Sequence, residues 1–401
     1  MELTAIIVSY NVKYYLAQCI TSLYKARPDI EIVVMDNNSH DGTEEYIHKI
    51  FSQEYGTSLH FISNKENIGF GRGNNRALKE AHGRYILFIN PDTFVSEDSL
   101  SACLAFLHSH PDAGIIGTRM LNINGTFARE SRRGVPMPMT SFYKLCGLAS
   151  LFPNSPIFGK YYMQHLDATQ VCKIDIVSGA FMMISRALLE RYGAFDEDFF
   201  MYGEDIELSF RIMKQHYQNY YIPTRILHYK GESTNKASRK YINDFYMAML
   251  IFFRKHHPHA RLLYPIIYIS VYLLSFKATL AQWFVRMRNR LGLGQNSHAR
   301  YLFCGSEKML SQARVISSEA SLDSTFEAAR GASPSEILSS ITEEKIPTYI
   351  VFDMDTFTYA DILEAFDATG KTNLMIGTHY PALGLVLTNE DTFTLNIQDN
   401  D

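Results

Sequence analysis

A chain of 401 residues and 45.9 kDa is too long for one ordinary domain and suits two or three. With 46% hydrophobic and 20% charged residues it is globular, which excludes wholesale disorder, collagen and coiled coil. The net charge of -4 hides an asymmetry: 16 acidic against 5 basic residues follow Tyr301, leaving 26 acidic and 33 basic before it. A basic body invites anionic partners, a nucleoside diphosphate or a phospholipid surface among them, whereas the acidic end reads as a separate module. The five cysteines are scattered without a CxxC pair, so neither a disulfide framework nor a cysteine zinc site is expected, and a reducing compartment fits. The opening MELTAIIVSYN has no basic n-region and no small-residue cleavage site; it reads as a strand, not a signal peptide.

In chain order, Leu3 to Ser9 is a short apolar strand and Tyr14 to Lys25 carries helical spacing. Glu31 to Met35 is a second strand ending at Asp36, and Asp41-Gly42-Thr43 opens a second helix. His60 to Ser63 is a third strand, and a glycine-rich run leads to a helix over Asn74 to His82. Tyr85 to Asn90 is a fourth strand, broken by Pro91-Asp92. Strands alternating with helices indicate parallel βαβ units, in which ligands sit at the carboxyl ends of the strands. Gly134 to Gln170 predicts a loop-rich excursion. Ile174 to Ser185 is apolar, Arg186 to Tyr192 is helical, and Ile206, Phe210 and Met213 place Glu204 and Asp205 in the first turn of another helix.

From Leu262 to Phe276 the chain is apolar and aromatic, fifteen uncharged residues where a bilayer span needs about 20. No Asp or Glu lies between Phe245 and Ser306, but eight Lys or Arg do. With Trp283 near its end, this stretch favours an interfacial or re-entrant membrane helix; a buried globular helix is the other reading. The remainder predicts a small α/β unit, with strands at Arg300–Cys304, Thr348–Phe352, Asn373–Ile376 and Leu383–Leu387 and a helix at Tyr359–Asp367. The domains are thus 1–240, a helical membrane-associating segment 241–297, and 298–401.

Polar clusters fall at the predicted strand ends: Ser9-Tyr10-Asn11, Asp36-Asn37-Asn38-Ser39, the run Asn67 to Asn75, and Asn90-Pro91-Asp92. Each alone is ordinary. Asp-Asn-Asn-Ser is turn chemistry, and Gly69, Gly71 and Gly73 match neither a dinucleotide fingerprint nor a P-loop. Glycines do allow close backbone approach to a ligand, Arg72 adds a diphosphate-pairing fork, and Asp92 suits a hard metal bridging phosphate oxygens. Downstream, one carboxylate of Glu204-Asp205 could deprotonate a hydroxyl, and His228 could complete a metal site with Asp92. Equally, acids at a helix start answer its dipole, and a single histidine can be structural.

The order is more informative than any part. VSYN, VVMDNNSHDGT, NIGFGRGNNRAL, LFINPDT, SGAFMMISR, FFMYGEDIELSFR and a histidine before Gly-Glu-Ser-Thr together resemble the family-two inverting glycosyltransferases of GT-A fold, closest to their rhamnosyltransferase-type branch, over Leu3 to Thr234. That resemblance implies an α/β, Rossmann-like nucleotide-sugar domain. It places Ser9, Tyr10, Asn11, Asp36 and Asn38 on the nucleoside, and Asn67, Gly69, Arg72, Gly73 and Asn74 on the ribose and diphosphate. Asn90-Pro91-Asp92 stands where the family has Asp-x-Asp, so Asn90 replaces the first acid and Asp92, with His228, would hold Mg²⁺ or Mn²⁺. Asp205 falls at the catalytic base, with Glu204 beside it positioning the acceptor, and Gly179 and Ala180 in the acceptor wall. The implied partners are a dTDP-rhamnose or UDP-sugar donor, a lipid-linked or glycan acceptor and an anionic membrane surface, with the protein peripheral on the cytoplasmic face; no nucleic acid is expected. Two alternatives stand beside this one. A sugar nucleotidyltransferase would need a glycine-rich basic loop that MELTAIIVSYN lacks, and a catalytically impaired nucleotide-sugar scaffold would bind without transfer. The C-terminal unit, with Cys304-Gly305-Ser306 after a strand, faintly resembles nucleotide-binding-like regions attached to membrane sugar-phosphate transferases and reads as a regulatory or assembly module.

Overall fold

The computed structural model of the chain describes residues 1–137, 147–230, 239–256, 299–342 and 346–395, with isolated positions between them. β1 (Leu3–Ser9), α1 (Lys13–Ala26), β2 (Glu31–Asp36), α2 (Thr43–Ile50), β3 (Leu59–Ser63), α3 (Phe70–Ala77) and β4 (Tyr85–Ile89) form the expected parallel βαβ series. β1 and β4 are buried on both faces, which is why they read as continuous apolar runs instead of alternating ones. After β5 (Thr93–Val95) and α4 (Ser99–Ser109) come β6 (Ala113–Leu121), β7 (Cys172–Ile174), β8 (Phe181–Ser185), α5 (Arg186–Tyr192), α6 (Glu204–Met213), β9 (Gln218–His228) and α7 (Arg239–His256). The sheet runs β3-β2-β1-β4-β8-β6-β9-β5, with β7 also on β9. One apolar layer, with Leu16, Ile20 and Leu104, covers one face; the other, with Phe88, Phe195 and Leu208, covers the opposite face.

Three local expectations change. The helix expected from Asn74 starts four residues earlier, because Gly69 at φ +87° turns the chain and the Phe70 amide donates to the Phe200 carbonyl (2.9 Å). The run Ile174 to Ser185 splits into β7 and β8 around the Ser178-Gly179 bend. Residues 113–121 form a central strand whose glycines and lone arginine masked its pattern. The Gly-Glu-Ser-Thr run at 231–234 and most of the 257–298 stretch lie outside the described residues. Among the described residues no helix is long and apolar enough to cross a membrane. The described cysteines, Cys19, Cys103, Cys172 and Cys304, are free thiols.

The C-terminal unit comprises β10 (Arg300–Gly305), α8 (Glu307–Ala320), β11 (Asp323–Ala328), α9 (Pro334–Ser340), β12 (Thr348–Asp353), α10 (Tyr359–Thr369), β13 (Leu374–Tyr380), β14 (Leu385–Leu387) and β15 (Thr392–Thr394), in sheet order β11-β10-β12-β13-β14-β15. The α8, α9 and α10 starts are capped by Ser306, Ser333 and Thr358, the hydroxyl of each accepting from a backbone amide three residues on. One face has its own core of Tyr301, Phe303, Met309 and Val351. The other face shares its core with the first domain: Tyr15, Phe94, Leu227 and Tyr229 pack with Phe352, Tyr359, Phe366 and Leu387. Burying one such side chain is worth about 1.5–3 kcal/mol, so this joint is a core, not a tether. Polar contacts reinforce it. Tyr15 Oη donates to the Thr388 carbonyl (2.7 Å), Gln18 Nε2 to Thr378 Oγ1 (2.9 Å) and the Ile376 amide to the Ile123 carbonyl (2.9 Å). Gly125, at φ +74°, passes so close that an added Cβ would stand 2.3 Å from the Phe366 carbonyl oxygen.

Candidate active site

The parallel strands β1, β2 and β4 end in the polar clusters, and short hydrogen bonds organise them. Asn11 and Asn38 take left-handed φ of +53° and +67°, which asparagine tolerates better than most residues. The Asn11 amide donates to Ser39 Oγ (2.8 Å), and Asn11 Oδ1 accepts from the His40 amide (2.7 Å). Asp36 is buried and accepts from the Ser39 amide (2.8 Å) and hydroxyl (2.6 Å). Burial raises its carboxyl above the usual range, against the lowering effect of those bonds. Ser9 is fully buried with its hydroxyl unpartnered, Tyr10 follows at intermediate exposure.

The glycine run joins this floor through residues that carry no local signal. Asn37 Nδ2 donates to the Gly69 carbonyl (3.1 Å), Asn64 Nδ2 to Asn37 Oδ1 (2.8 Å), and Arg76 Nη1 to Asn64 Oδ1 (2.5 Å). Gly69 is required: a Cβ there would lie 2.4 Å from the Phe200 carbonyl oxygen. Asn67 Oδ1 accepts from the Gly69 amide (3.0 Å), and a Cβ on Gly73 would press on Val8 at 3.1 Å. Asn74 is buried with its carbonyl oxygen Oδ1 unpartnered. Arg72, more than half exposed, stands 3.8 Å from Glu197, so it faces outward in this conformation.

At the end of β4 the Asn90 amide donates to the Ala180 carbonyl (3.2 Å), and its side-chain nitrogen lies 3.3 Å from His228 Nε2. Asp92, 3% exposed, has Oδ1 3.3 Å from the same His228 nitrogen. Thr93 pairs with His228 in register, and the Tyr229 amide donates to the Asp92 carbonyl (3.0 Å). The expected ligand pair is thus assembled from residues 136 positions apart. Among the described residues no group of three His, Cys, Asp or Glu side chains could hold a metal ion. One carboxylate and one imidazole, whose Nδ1 is buried without a partner, fit a borderline-hard cation that takes its other ligands from a diphosphate and water. Beside them Glu130 pairs with Lys230 (2.7 Å); burial works to raise its carboxyl, but the Lys230 charge outweighs that and holds it below the usual range.

The second carboxylate cluster opens α6, entered through Gly203 at φ +85°. Asp205 Oδ2 accepts from the Gly179 amide (3.1 Å) and pairs with Arg133; Asp205 Oδ1 accepts from the Ile206 amide (2.8 Å). Arg133 also donates to the Val177 carbonyl (3.1 Å), pinning the loop before the excursion to the bend that bears Gly179. Glu204 differs sharply from its neighbour: it is 6% exposed, its Oε2 has no partner, and burial, then the Asp205 charge, push its carboxyl up to about 8. Gly179 touches Asp205 while Ala180 holds Asn90, so one bend links the two carboxylate clusters.

Residues 4–193 match the family described as Glycosyl transferase family 2. The chain is 25% identical over 269 residues to the N-acetylglucosaminyl-diphospho-decaprenol L-rhamnosyltransferase of Mycobacterium tuberculosis, covering 64% of this chain and 85% of that one. It is 26% identical over 240 residues to the rhamnosyltransferase WbbL of Escherichia coli, covering 56% and 82%. Among solved structures, the mannosyltransferase PcManGT of Pyrobaculum calidifontis, in complex with GDP-Man and Mn²⁺, aligns with a TM-score of 0.44 at 18% identity, over 73% of this chain and 81% of that one. Residues 4–193 therefore form an α/β domain that matches glycosyl transferase family 2, and the curated relatives of the chain include rhamnosyltransferases.

Proposed function

We propose that the protein transfers a sugar, with inversion, from a nucleoside-diphosphate donor (dTDP-rhamnose or a UDP-sugar) to a hydroxyl of a lipid-linked or surface glycan in cell-envelope polysaccharide synthesis. The observation that carries this reading is the bend at Gly179-Ala180, which ties the Asp205 carboxylate to the Asn90–Asp92–His228 cluster. Ser9, Asn11, Asp36 and Asn38 bind the nucleoside at the β1 and β2 ends, and the run from Asn67 to Asn74 lines its ribose and diphosphate. Asp92 and His228 hold Mg²⁺ or Mn²⁺, which when bound offsets the charge of the departing diphosphate. Asp205, fixed by Arg133 and the Gly179 amide, keeps lone pairs to accept the proton of the acceptor hydroxyl. That oxygen bonds to the anomeric carbon as the bond to the diphosphate oxygen breaks, and one displacement inverts the centre.

Asp205→Asn keeps the size and most hydrogen bonds but cannot take the proton. It should lower kcat by about 10²–10⁴ while donor affinity stays near wild type. Wild-type turnover in that variant would refute the mechanism and favour a binding scaffold.

For location we propose the cytoplasmic face of the plasma membrane, bound peripherally. Tyr272, Phe276, Leu280, Trp283, Phe284 and Met287 are helical and exposed, at spacings of three or four with one adjacent pair, in a stretch free of acids. Such a stripe flanked by arginines suits the interface of an anionic bilayer.

A further inference from the structure

Both proposed cation ligands lie on one narrow ribbon. β5 is three residues long and ends the sheet, paired only along Thr93–Val95 with β9, and Asp92 and His228 sit at the same end of that pairing. β9 is backed by β6 as far as Leu227, but β5 is an edge strand of three residues with one neighbour. Cation ligands must nevertheless hold their places within about 0.5 Å. What stiffens the ribbon comes from the far end of the sequence.

On the ribbon's inner face Phe94, Leu227 and Tyr229 enter the core shared with the C-terminal sheet. Tyr229, next to His228, packs edge-on against Tyr15 at 5.1 Å between ring centres, and Phe94 lies 4.8 Å from Tyr359. The α10 helix crosses this face and is tied at both ends. At its start the Tyr359 and Ala360 amides donate to Glu97, two residues past β5, at 3.0 and 2.8 Å. At its end Asp367 accepts from Arg225 on β9 (2.9 Å) and Arg119 on β6 (2.9 Å). A half-buried carboxylate shared by two guanidinium groups is a specific lock. The strap therefore grips the segment after Asp92 and the strand before His228 at once.

We propose that the C-terminal domain is a positioning part of the catalytic centre: α10, strapped by Glu97 and Asp367, fixes the β5–β9 ribbon and so the separation of Asp92 and His228. This rests on the reading of those two residues as cation ligands. Glu97, Asp367 and Tyr229 touch neither substrate nor cation; they act through the ribbon.

The test uses the full chain with Glu97→Gln, Asp367→Asn, their double variant, and Phe303→Leu in the C-terminal core that faces away from the joint. Two quantities are read: the affinity for Mn²⁺ alone, by electron paramagnetic resonance titration, and hydrogen exchange of residues 93–95 and 218–228. Each strap variant should weaken Mn²⁺ about tenfold, as loss of outer-shell support does, and speed exchange along the ribbon. The double variant should fall well short of the product, because both changes loosen one helix. Phe303→Leu should lower the melting temperature and change neither quantity. Unchanged affinity and exchange in folded Asp367→Asn and Glu97→Gln would overturn the proposal, as would a Phe303→Leu protein that loses Mn²⁺ affinity equally. If the wild type binds no Mn²⁺ even with UDP or dTDP present, the cation reading falls, and exchange along the ribbon alone decides whether the strap exists.

Discussion

Glu204→Gln probes the electrostatics of the site while leaving the proposed base, Asp205, in place. The Glu204 carboxyl is pushed up to about 8 by burial and then by Asp205, while an unfolded glutamate loses its proton near its ordinary value of 4.5. Between those values the folded protein keeps a proton that the unfolded chain releases. The stabilisation is therefore full below about 4.5 and is lost as pH rises towards 8, at no more than about 1.4 kcal/mol per pH unit. Other groups can be separated by sign. Burial lowers the His379 imidazole to about 4, so its contribution rises with pH up to 6.5 and is then constant. Glu31, Glu130 and Asp353 have lowered carboxyls, whose contributions are complete above about 4.5. Asp36, also raised by burial, shares the sign of Glu204, so the Glu204 part of any fall from pH 6.5 to 8 is the part that the neutral amide should remove. Urea midpoints of wild type and variant measured across that window should diverge, with the variant gaining relative stability as pH rises by about 1 kcal/mol or more in total. Parallel curves would show that Glu204 is ionised in the folded protein and refute the reasoning.

EDTA should abolish transfer, and Mg²⁺ or Mn²⁺ should restore it; full activity in chelator would remove Asp92 and His228 from the proposed role. Trp283 is the sole tryptophan and is 52% exposed, so its emission should shift to the blue with anionic vesicles at low salt and return at high salt. A spectrum indifferent to vesicles at every salt concentration would remove the membrane proposal. Arg133→Met leaves the largely buried Asp205 carboxylate without its ion partner, which should cost about 3 kcal/mol in chemical denaturation; a change under a third of that would mean the pair is solvated.

The first domain was legible because its parallel strands are short, apolar and followed at once by their polar ends; β1, β2 and β4 begin and end within a residue of expectation. β6 escaped because Gly114, Gly117 and Arg119 interrupt the apolar run of a strand whose burial is set by neighbours far away. The motif residues come together at Asp92 and His228, and at Gly179 and Asp205, because a sheet gathers successive strand ends on one edge. Asn64, Arg76 and Arg133 were invisible: each is a single polar side chain in a loop or helix, and its partner lies 12, 12 and 72 residues away. The acidic C-terminus announced a module through its charge. Its attachment was hidden, since Asp367 meets Arg119 and Arg225 only across 248 and 142 residues.

The shared core also imposes an order in time. Synthesis proceeds from the N-terminus, and domains generally fold as they emerge. The strand bearing His228 is made long before α10 and β13, so Phe94, Leu227 and Tyr229 leave the ribosome with only first-domain neighbours such as Tyr15 to cover them. Until those elements arrive, the nascent chain carries a partly uncovered aromatic patch beside Asp92 and His228. Premature termination before Tyr359 would leave much of that patch bare and sticky, a state that chaperones and proteases recognise. Completion of the chain thus acts as a checkpoint on a catalyst whose motif residues all lie in its first half and a little beyond.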